Sequence, residues 1–185
     1  QCQLEGWVER ANGGARRLQH LEPACRIGPV ELAIAGERER PAGEGWTTGT
    51  GLQLKWVRPL TDSVSIGVVA SSRWQDRGRA YDATTLVVPL TLRVDDALAV
   101  HLNAGRRFAS GAPDDTRGGL GIEWTPVGTW TVIAEVYREE RETFRRAGLR
   151  WALSPSLSID LSHARGRSGG TAPWWTLGFG WVYDR

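Results

Sequence analysis

Alternation of apolar residues with small or polar ones runs through most of this chain, and it constrains the fold more than any other feature. The segment TWTVIAEVYRE, residues 129–139, is a clear example. Successive side chains of a β-strand point to opposite faces, so a period of two predicts strands with one apolar face. The sequence contains no run of roughly 18 apolar residues, the length that a membrane-spanning helix needs. It therefore predicts an all-β protein.

Short turns and longer polar loops alternate between the predicted strands. RPLTD and TPVG are typical of the turns, and QDRGRAYD and RGRSGGTAP of the loops. Outer-membrane barrels have short periplasmic turns and longer external loops. Pro89 removes a ladder donor within its strand and predicts a bulge or a shifted register there. We predict a closed antiparallel up-and-down transmembrane β-barrel of about ten strands, at residues 29–39, 47–57, 63–74, 83–93, 97–108, 118–125, 129–138, 143–153, 156–164 and 174–183.

The apolar face of these strands carries aromatic residues at the strand ends and aliphatic residues between them. Such aromatic girdles mark the two borders of a bilayer. A soluble barrel that carries a lipid would turn this face inward, and it would have no reason to sort its rings by height. The predicted membrane-interface residues are Trp56, Trp124, Trp130, Trp151, Trp181 and Tyr183 at the short-turn end, and Trp74 and Trp175 at the long-loop end.

The opposite face carries charged residues, which we place in the barrel lumen. An arginine exposed to hydrocarbon costs about 2–4 kcal/mol, so Arg146 and Arg150 are expected to point inward. Buried charges need partners, and cross-strand neighbours on the same face can supply them. Counting outward from the turns predicts the lumen-lining pairs Glu135 with Arg146, Arg150 with Asp160, Glu31 with Lys55 and Asn103 with Glu123, together with Arg73, His101, Arg107 and Tyr137.

Cys2 and Cys25 flank a segment with the sequence NGG, residues 12–14, at its centre. Asn and Gly suit a tight hairpin turn, and counting outward from it brings residue 2 opposite residue 25. A disulfide is therefore predicted, which implies an oxidising compartment such as the periplasm. Two buried free thiols are the alternative. We divide the chain into an N-terminal periplasmic hairpin segment, residues 1–28, and a transmembrane barrel, residues 29–185.

Composition and motifs argue against several function classes. The basic residues are spread among 21 acidic ones rather than gathered in a run, so nucleic-acid binding is not expected. No Cys/His metal spacing, phosphate loop or nucleophile elbow occurs in the sequence, so we expect no metal and no other cofactor. The chain begins at Gln1 rather than at a methionine, and we expect that a signal peptide has been removed.

Arginines crowd the predicted long-loop end, where outer-leaflet phosphates would lie. Arginine matches phosphate geometry, so membrane lipid and lipopolysaccharide are predicted partners, with solvated loop charge as the alternative. The arginines concerned are Arg38, Arg40, Arg77, Arg79, Arg117, Arg138, Arg141, Arg145, Arg165 and Arg167.

Four segments of the second half of the chain, LAVHLNAGRRF, IAEVYREE, AGLRWALSPSLSIDLSHARG and WWTLGFGWVYD, resemble the outer-membrane channel family associated with the phenol meta-cleavage pathway. The resemblance implies a channel that admits hydrophobic or aromatic solutes. The sequence thus predicts a narrow, non-enzymatic outer-membrane channel for small-molecule solutes. One alternative is a non-conducting barrel with a charge-plugged lumen that binds a periplasmic or outer-membrane protein. Another is a rim-site hydrolase built on Asp76, Asp82, Asp114, Asp115 and His163.

Overall fold

Twelve β-strands make up most of this computed structural model, which describes residues 1–75 and 80–183. A short 3-10 helix, Asn12–Gly14, joins the first two strands. The strands are β1 (Cys2–Ala11), β2 (Arg16–Ile27), β3 (Val30–Pro41), β4 (Thr47–Pro59), β5 (Val64–Gln75), β6 (Ala80–Arg93), β7 (Leu98–Ala109), β8 (Asp115–Val127), β9 (Trp130–Glu139), β10 (Glu142–Ser154), β11 (Leu157–Gly166) and β12 (Trp174–Tyr183). Among the described residues, no helix is long and apolar enough to cross a membrane.

The strands form one antiparallel sheet that closes on itself. Each strand pairs with the next in sequence, and β1 pairs with β12 to complete the circle. The closing register runs from Cys2 opposite Tyr183 to Ala11 opposite Trp174. Because a closed sheet has no free edge, every strand can satisfy its backbone groups within the barrel wall. The predicted closed up-and-down barrel is confirmed.

The predicted count of about ten strands is wrong, because the N-terminal hairpin contributes two strands to the wall. β1 and β2 lie between β12 and β3. The turn of this hairpin lies among the long loops, since the backbone N–H of Asn12 donates to the carbonyl of Pro173 at 2.8 Å. The division into a periplasmic hairpin, residues 1–28, and a separate barrel does not match this topology. Two additional strands also widen the lumen, because barrel diameter grows with strand number.

A disulfide between Cys2 and Cys25 ties β1 to β2 at the short-turn end of the barrel. The two residues are direct cross-strand partners, as the count from the turn predicts. Tyr183, near the end of the last strand, is the partner of Cys2 on the other side. The disulfide therefore lies beside the seam at which β1 meets β12.

The outer surface of the barrel is apolar. Leu54, Leu102, Leu120, Leu149 and Leu177 are each between 46% and 53% exposed on strands spread around the wall. Between these outward residues, the strands carry the charged side chains that line the interior. An apolar exterior around a polar interior is the arrangement of a transmembrane β-barrel.

β6 keeps a single register across Pro89, so the bulge expected there is wrong. Val64 lies opposite Leu92 and Val69 opposite Val87, which is the same alignment on both sides of the proline. A Cβ atom on Gly67 would lie 3.2 Å from the Pro89 ring, so the glycine leaves the space that the ring occupies. The register shift between these two strands lies instead between Arg73 and Trp74.

Candidate functional site in the barrel lumen

Three of the four predicted lumen pairs are direct cross-strand partners. Arg146 lies opposite Glu135, with Nη1 3.1 Å from the carboxylate. Arg150 lies opposite Asp160, and its Nε donates to the Asp160 carboxylate at 2.6 Å. The Lys55 ammonium is 3.4 Å from the Glu31 carboxylate, to which it is opposite in register. The turns between these strands thus set their registers as the count predicts.

The fourth predicted pair is wrong. Asn103 lies opposite Gly119, and Glu123 lies opposite Ala99. The prediction centred the turn on Pro113, whereas the observed register is centred on Gly111, which adopts a positive φ of 76°. Glycine tolerates this left-handed conformation without steric cost, so it sets the centre of the turn.

Glu123 has two basic partners in place of Asn103. Its carboxylate lies 3.4 Å from Nη1 of Arg150 and 4.0 Å from Nε2 of His101. His101 also shares a hydrogen bond of 3.0 Å with the Thr91 hydroxyl. Arg150 therefore bridges two carboxylates, those of Glu123 and Asp160.

The remaining predicted lumen residues join the same kind of network nearer the long loops. Arg73 pairs with Glu37 at 2.5 Å and lies 3.8 Å from Asp82. Arg107 pairs with Asp82 at 3.0 Å. The Tyr137 hydroxyl accepts a hydrogen bond of 3.2 Å from Arg146, whose guanidinium also lies over the tyrosine ring.

Several lumen residues were not predicted because they belong to the N-terminal hairpin, which the prediction placed outside the barrel. Glu5 and Glu9 alternate with Trp7 on the inner face of β1, and Trp7 stacks on His20 of β2 with a ring separation of 3.6 Å. Arg16 forms ion pairs with Glu9 and with Glu39. The segment LEGWVER has the same period of two as the other strands, and this signal identifies β1 as a barrel strand.

Ion pairs in the lumen follow the wall rather than crossing the axis. Arg146 and Lys55 pair with residues of adjacent strands. Arg73 on β5 reaches Glu37 on β3, and Arg150 on β10 reaches Glu123 on β8, each passing one strand. Within residues 1–75 and 80–183, no lumen ion pair joins strands further apart than these. These ion pairs of the described residues therefore do not bridge the lumen from one wall to the other.

Two cavities occupy the space inside the barrel. One, of about 900 Å³, lies mainly against β1 and β9–β12, and the other, of about 410 Å³, lies mainly against β2–β6. They share lining residues near the long loops, including Glu37, Arg73 and Glu139, so they adjoin one another. Cavities of this size between charged walls hold water.

The larger cavity is rich in negative charge. Its lining includes nine carboxylates but four arginines, so ion pairing leaves an excess of acidic groups. The carboxylates are Glu5, Glu9, Glu37, Glu39, Glu123, Glu135, Glu139, Glu140 and Asp160, and the arginines are Arg16, Arg73, Arg146 and Arg150. Of the predicted residues, Glu31, Lys55, His101 and Asn103 are not part of either described lining.

A small aromatic core packs inside the barrel beneath the long loops. Phe144 and Trp174 are 7% and 6% exposed, and their ring centroids lie 5.4 Å apart. Tyr137 stacks on Phe144 with a ring separation of 5.4 Å. Arg16 lies over the Trp174 ring at 5.6 Å. This core fills one side of the outer mouth and narrows the lumen there.

The predicted interface aromatics lie at the two ends of the outer surface. At the short-turn end, Trp130 and Trp151 are cross-strand partners whose rings stack at 5.4 Å, and Trp181 packs on Tyr183. At the long-loop end, Trp175 is 50% exposed. The other predicted members are Trp56 and Trp124 at the short-turn end, and Trp74, which packs edge-on against Tyr81 at the long-loop end.

The described members of the set considered for a rim-site hydrolase do not form one cluster. His163 packs against Trp175 on the outer face, with a ring separation of 4.8 Å. Asp82 lines the lumen, and Asp114 pairs with the outward Arg106 at 3.1 Å. Asp115 is buried at the start of β8. Asp76 lies outside the described residues.

The arginines predicted to contact lipid divide into several groups. Arg38, Arg40, Arg138, Arg145 and Arg165 are exposed on strands near the long loops. Arg141 and Arg167 are exposed just beyond strand ends. Arg117 instead pairs with Glu139 at 2.7 Å, and it lines the lumen. Arg77 and Arg79 lie outside the described residues.

Solved structures of outer-membrane porins share this fold. The KdgM porin has a TM-score of 0.78 at 12% identity, over 98% of this chain and 99% of that chain. The KdgM porin in complex with disordered oligogalacturonate has a TM-score of 0.76 at 13% identity, covering 98% and 99% of the two chains. The NanC porin has a TM-score of 0.74 at 9% identity, covering 97% and 100%.

These structures show that the chain has a porin-like fold, and its apolar exterior is that of a transmembrane β-barrel. The resemblance to the channel family of the phenol meta-cleavage pathway stays a prediction from sequence. No curated protein matches the chain. A family model does match, over residues 1–182, and the chain therefore belongs to the family described as uncharacterised conserved protein UCP029691.

Proposed function

We propose that this barrel is a narrow, water-filled channel of the outer membrane for small hydrophilic solutes, and that it favours cations and neutral molecules over anions. The observation that carries the proposal is the course of the lumen ion pairs along the wall. Because these pairs join strands no more than two apart, adjoining cavities of about 900 and 410 Å³ remain between them. A charge-plugged barrel would instead have its side chains bridged across the axis.

Strand number supports an open but narrow path. Side chains fill an eight-stranded barrel, whereas barrels of about 16 to 18 strands enclose a wide aqueous channel. Twelve strands lie between these cases. The aromatic core of Phe144 and Trp174 occupies part of the outer mouth and restricts the path further.

The charge preference follows from the lining of the larger cavity. Nine carboxylates outnumber four arginines there. Fixed charge of one sign concentrates counter-ions and repels ions of the same sign. The KdgM porin has been solved with oligogalacturonate, an acidic sugar chain. The excess of carboxylates in this lumen favours a different solute charge.

Hydrophobic or aromatic solutes, which the sequence resemblance implies, are a narrower version of the same proposal. Trp7, Tyr137, Phe144 and Trp174 all contribute to the lining of the larger cavity. Phe144 and Trp174 are nearly buried against each other, and Trp7 is stacked on His20. Their ring faces are thus largely occupied, so we place charge ahead of aromatic stacking in selecting solutes.

Single-channel recording in planar bilayers tests the proposal. Purified protein should give defined conductance steps, and the double variant E135A/R146A should give larger ones because both long side chains leave the lumen. A matched control, R106A/D114A, removes an arginine–carboxylate pair on the outer surface and should leave the steps unchanged. If wild type and E135A/R146A were both silent in bilayers where a known porin conducts, the barrel would be a closed scaffold.

Liposome-swelling assays then separate the solute classes. Small neutral sugars and organic cations should enter faster than acidic sugars of similar size. Aromatic compounds of matched size and charge provide the comparison for the narrower proposal. Preferential entry of acidic sugars would contradict the charge preference.

A further inference from the structure

Three arginines form a lateral row on the outer face of the barrel near the long loops. Arg10 on β1 lies directly opposite Arg17 on β2, and Arg17 lies directly opposite Arg40 on β3. All three side chains are exposed. Directly opposed residues have Cβ atoms roughly 5 Å apart, and like charges in such positions destabilise a sheet. The three arginines therefore repel one another, and a bound anion could reduce this repulsion.

Carboxylates next to this row in sequence do not neutralise it. Glu9 and Glu39 point into the lumen, where both pair with Arg16. In the part of the chain that the structure describes, no carboxylate lies within 4.0 Å of the row to form an ion pair. Arg40 donates from Nε to the backbone carbonyl of Glu44 at 3.2 Å, and this contact does not use its two terminal nitrogens.

The row lies at the same height on the barrel as the aromatic residues of the long-loop end. Arg10 is directly opposite Trp175, which is 50% exposed and packs against His163. Tryptophan at the end of an apolar belt marks the headgroup region of a bilayer. One position further along the outer face of β3, Arg38 lies over the Trp46 ring at 4.6 Å. Outer-leaflet headgroups would therefore meet the arginines of the row.

We propose that Arg10, Arg17 and Arg40 bind the phosphate groups of an outer-leaflet glycolipid of the lipopolysaccharide type. Guanidinium groups donate pairs of parallel hydrogen bonds to phosphate oxygens, and each charge-assisted bond is stronger than a neutral one. Free phosphate offers the same chemistry, but apolar surface adjoins the row. Val8 and Leu177 are 47% and 52% exposed and lie next to it toward the membrane centre, where they can contact acyl chains. This site is independent of conduction through the lumen.

The test uses the purified protein in non-ionic detergent micelles. Binding is measured for lipopolysaccharide with its lipid A phosphates, for the same preparation after dephosphorylation, and for inorganic phosphate alone. The triple variant R10Q/R17Q/R40Q is compared with R26Q/R58Q/R93Q. The latter removes three exposed arginines near the short-turn end.

Loss of three charge-assisted contacts should weaken binding of the phosphorylated glycolipid by at least about tenfold. The control variant should bind the phosphorylated glycolipid as tightly as wild type does. Removal of the phosphates from the glycolipid should weaken its binding to wild type at least as much as the triple substitution weakens binding of the phosphorylated form. Equal binding by wild type and R10Q/R17Q/R40Q would overturn the proposal. So would competition by inorganic phosphate at concentrations equal to those of the glycolipid, because the site would then hold a free anion.

Thermal unfolding without glycolipid separates a binding role from a structural one. Because the triple substitution removes repulsion, its unfolding temperature should be at least that of wild type. A lower value would mean that the arginines hold the barrel together, contrary to the proposal. If the triple variant cannot be refolded, R17Q alone removes the centre of the row and should weaken glycolipid binding severalfold; unchanged binding by this folded variant would also contradict the proposal.

Discussion

Arg150 is the cation through which the charge preference of the lumen is best tested. Its guanidinium bridges Asp160 at 2.6 Å and Glu123 at 3.4 Å, and the side chain is 40% exposed to the lumen. The substitution R150Q leaves both carboxylates without their shared partner. The lining of the larger cavity would then hold nine carboxylates and three arginines in place of four.

The size of the effect follows from Coulomb's law in water. Two unit charges interact by about 1 kcal/mol at 4 Å, hence by about 0.5 kcal/mol for an ion passing at roughly 8 Å. Loss of one positive charge should raise local cation occupancy about twofold and lower anion occupancy about twofold, so the cation-to-anion ratio rises about fourfold. Screening reduces this effect, so recordings belong near 0.01 M salt, where the Debye length is about 30 Å.

The assay is the reversal potential of single channels under a salt gradient. R150Q should shift it toward the cation equilibrium potential, while R150K, which keeps the charge, should stay near wild type. The double variant R150Q/D160N also loses one carboxylate, and it should return most of the way to the wild-type value. If R150Q and R150K gave the same reversal potential as wild type, permeating ions would not pass near this group.

Three further predictions concern stability and are checked by thermal unfolding in detergent micelles. A Cβ at Gly148 would lie 2.6 Å from the Ser162 side chain and 2.8 Å from a backbone oxygen, so G148A should destabilise the barrel by about 1–3 kcal/mol. G121A should not destabilise the barrel, because a Cβ at this position would lie 3.8 Å from its nearest neighbour. Equal loss of stability in both variants would refute the packing argument. The variant C2S/C25S, which opens a disulfide between residues 23 apart, should lose about 3 kcal/mol yet keep wild-type conductance steps; changed steps would mean that the disulfide shapes the lumen. R146A should unfold at a lower temperature than the double variant that also removes its carboxylate partner, because the single change leaves a charge unpaired; the reverse order would contradict this.

Most of the barrel wall could be predicted from sequence because the pattern that identifies each strand lies within the strand itself. Alternation assigns each side chain to a face, and short turns fix the register of the strands they join. The turn at Glu140 and Arg141 and the turn at Pro155 set the predicted partners of Arg146 and Arg150 opposite them.

Predictions failed where the controlling interaction is distant in sequence or where a loop is long. β1 closes the barrel by pairing with β12, and nothing in the LEGWVER segment alone states that its partner lies at the other end of the chain. The loop between β7 and β8 is long, and the count took Pro113 as its centre, whereas the observed register is centred on Gly111. The positive φ of Gly111 places the centre of the turn at this residue, so Glu123 pairs with Arg150 and His101 instead of Asn103.

The Cys2–Cys25 disulfide has a consequence for how the cylinder is completed. Joining the first strand to the last requires two segments from opposite extremes of the polypeptide to find each other, and such encounters are entropically the most demanding in a fold. Once oxidised, the first strand arrives already aligned with its neighbour as a two-stranded ribbon. Oxidation of this thiol pair would then influence the rate at which the barrel closes, while the finished wall keeps the same pairing.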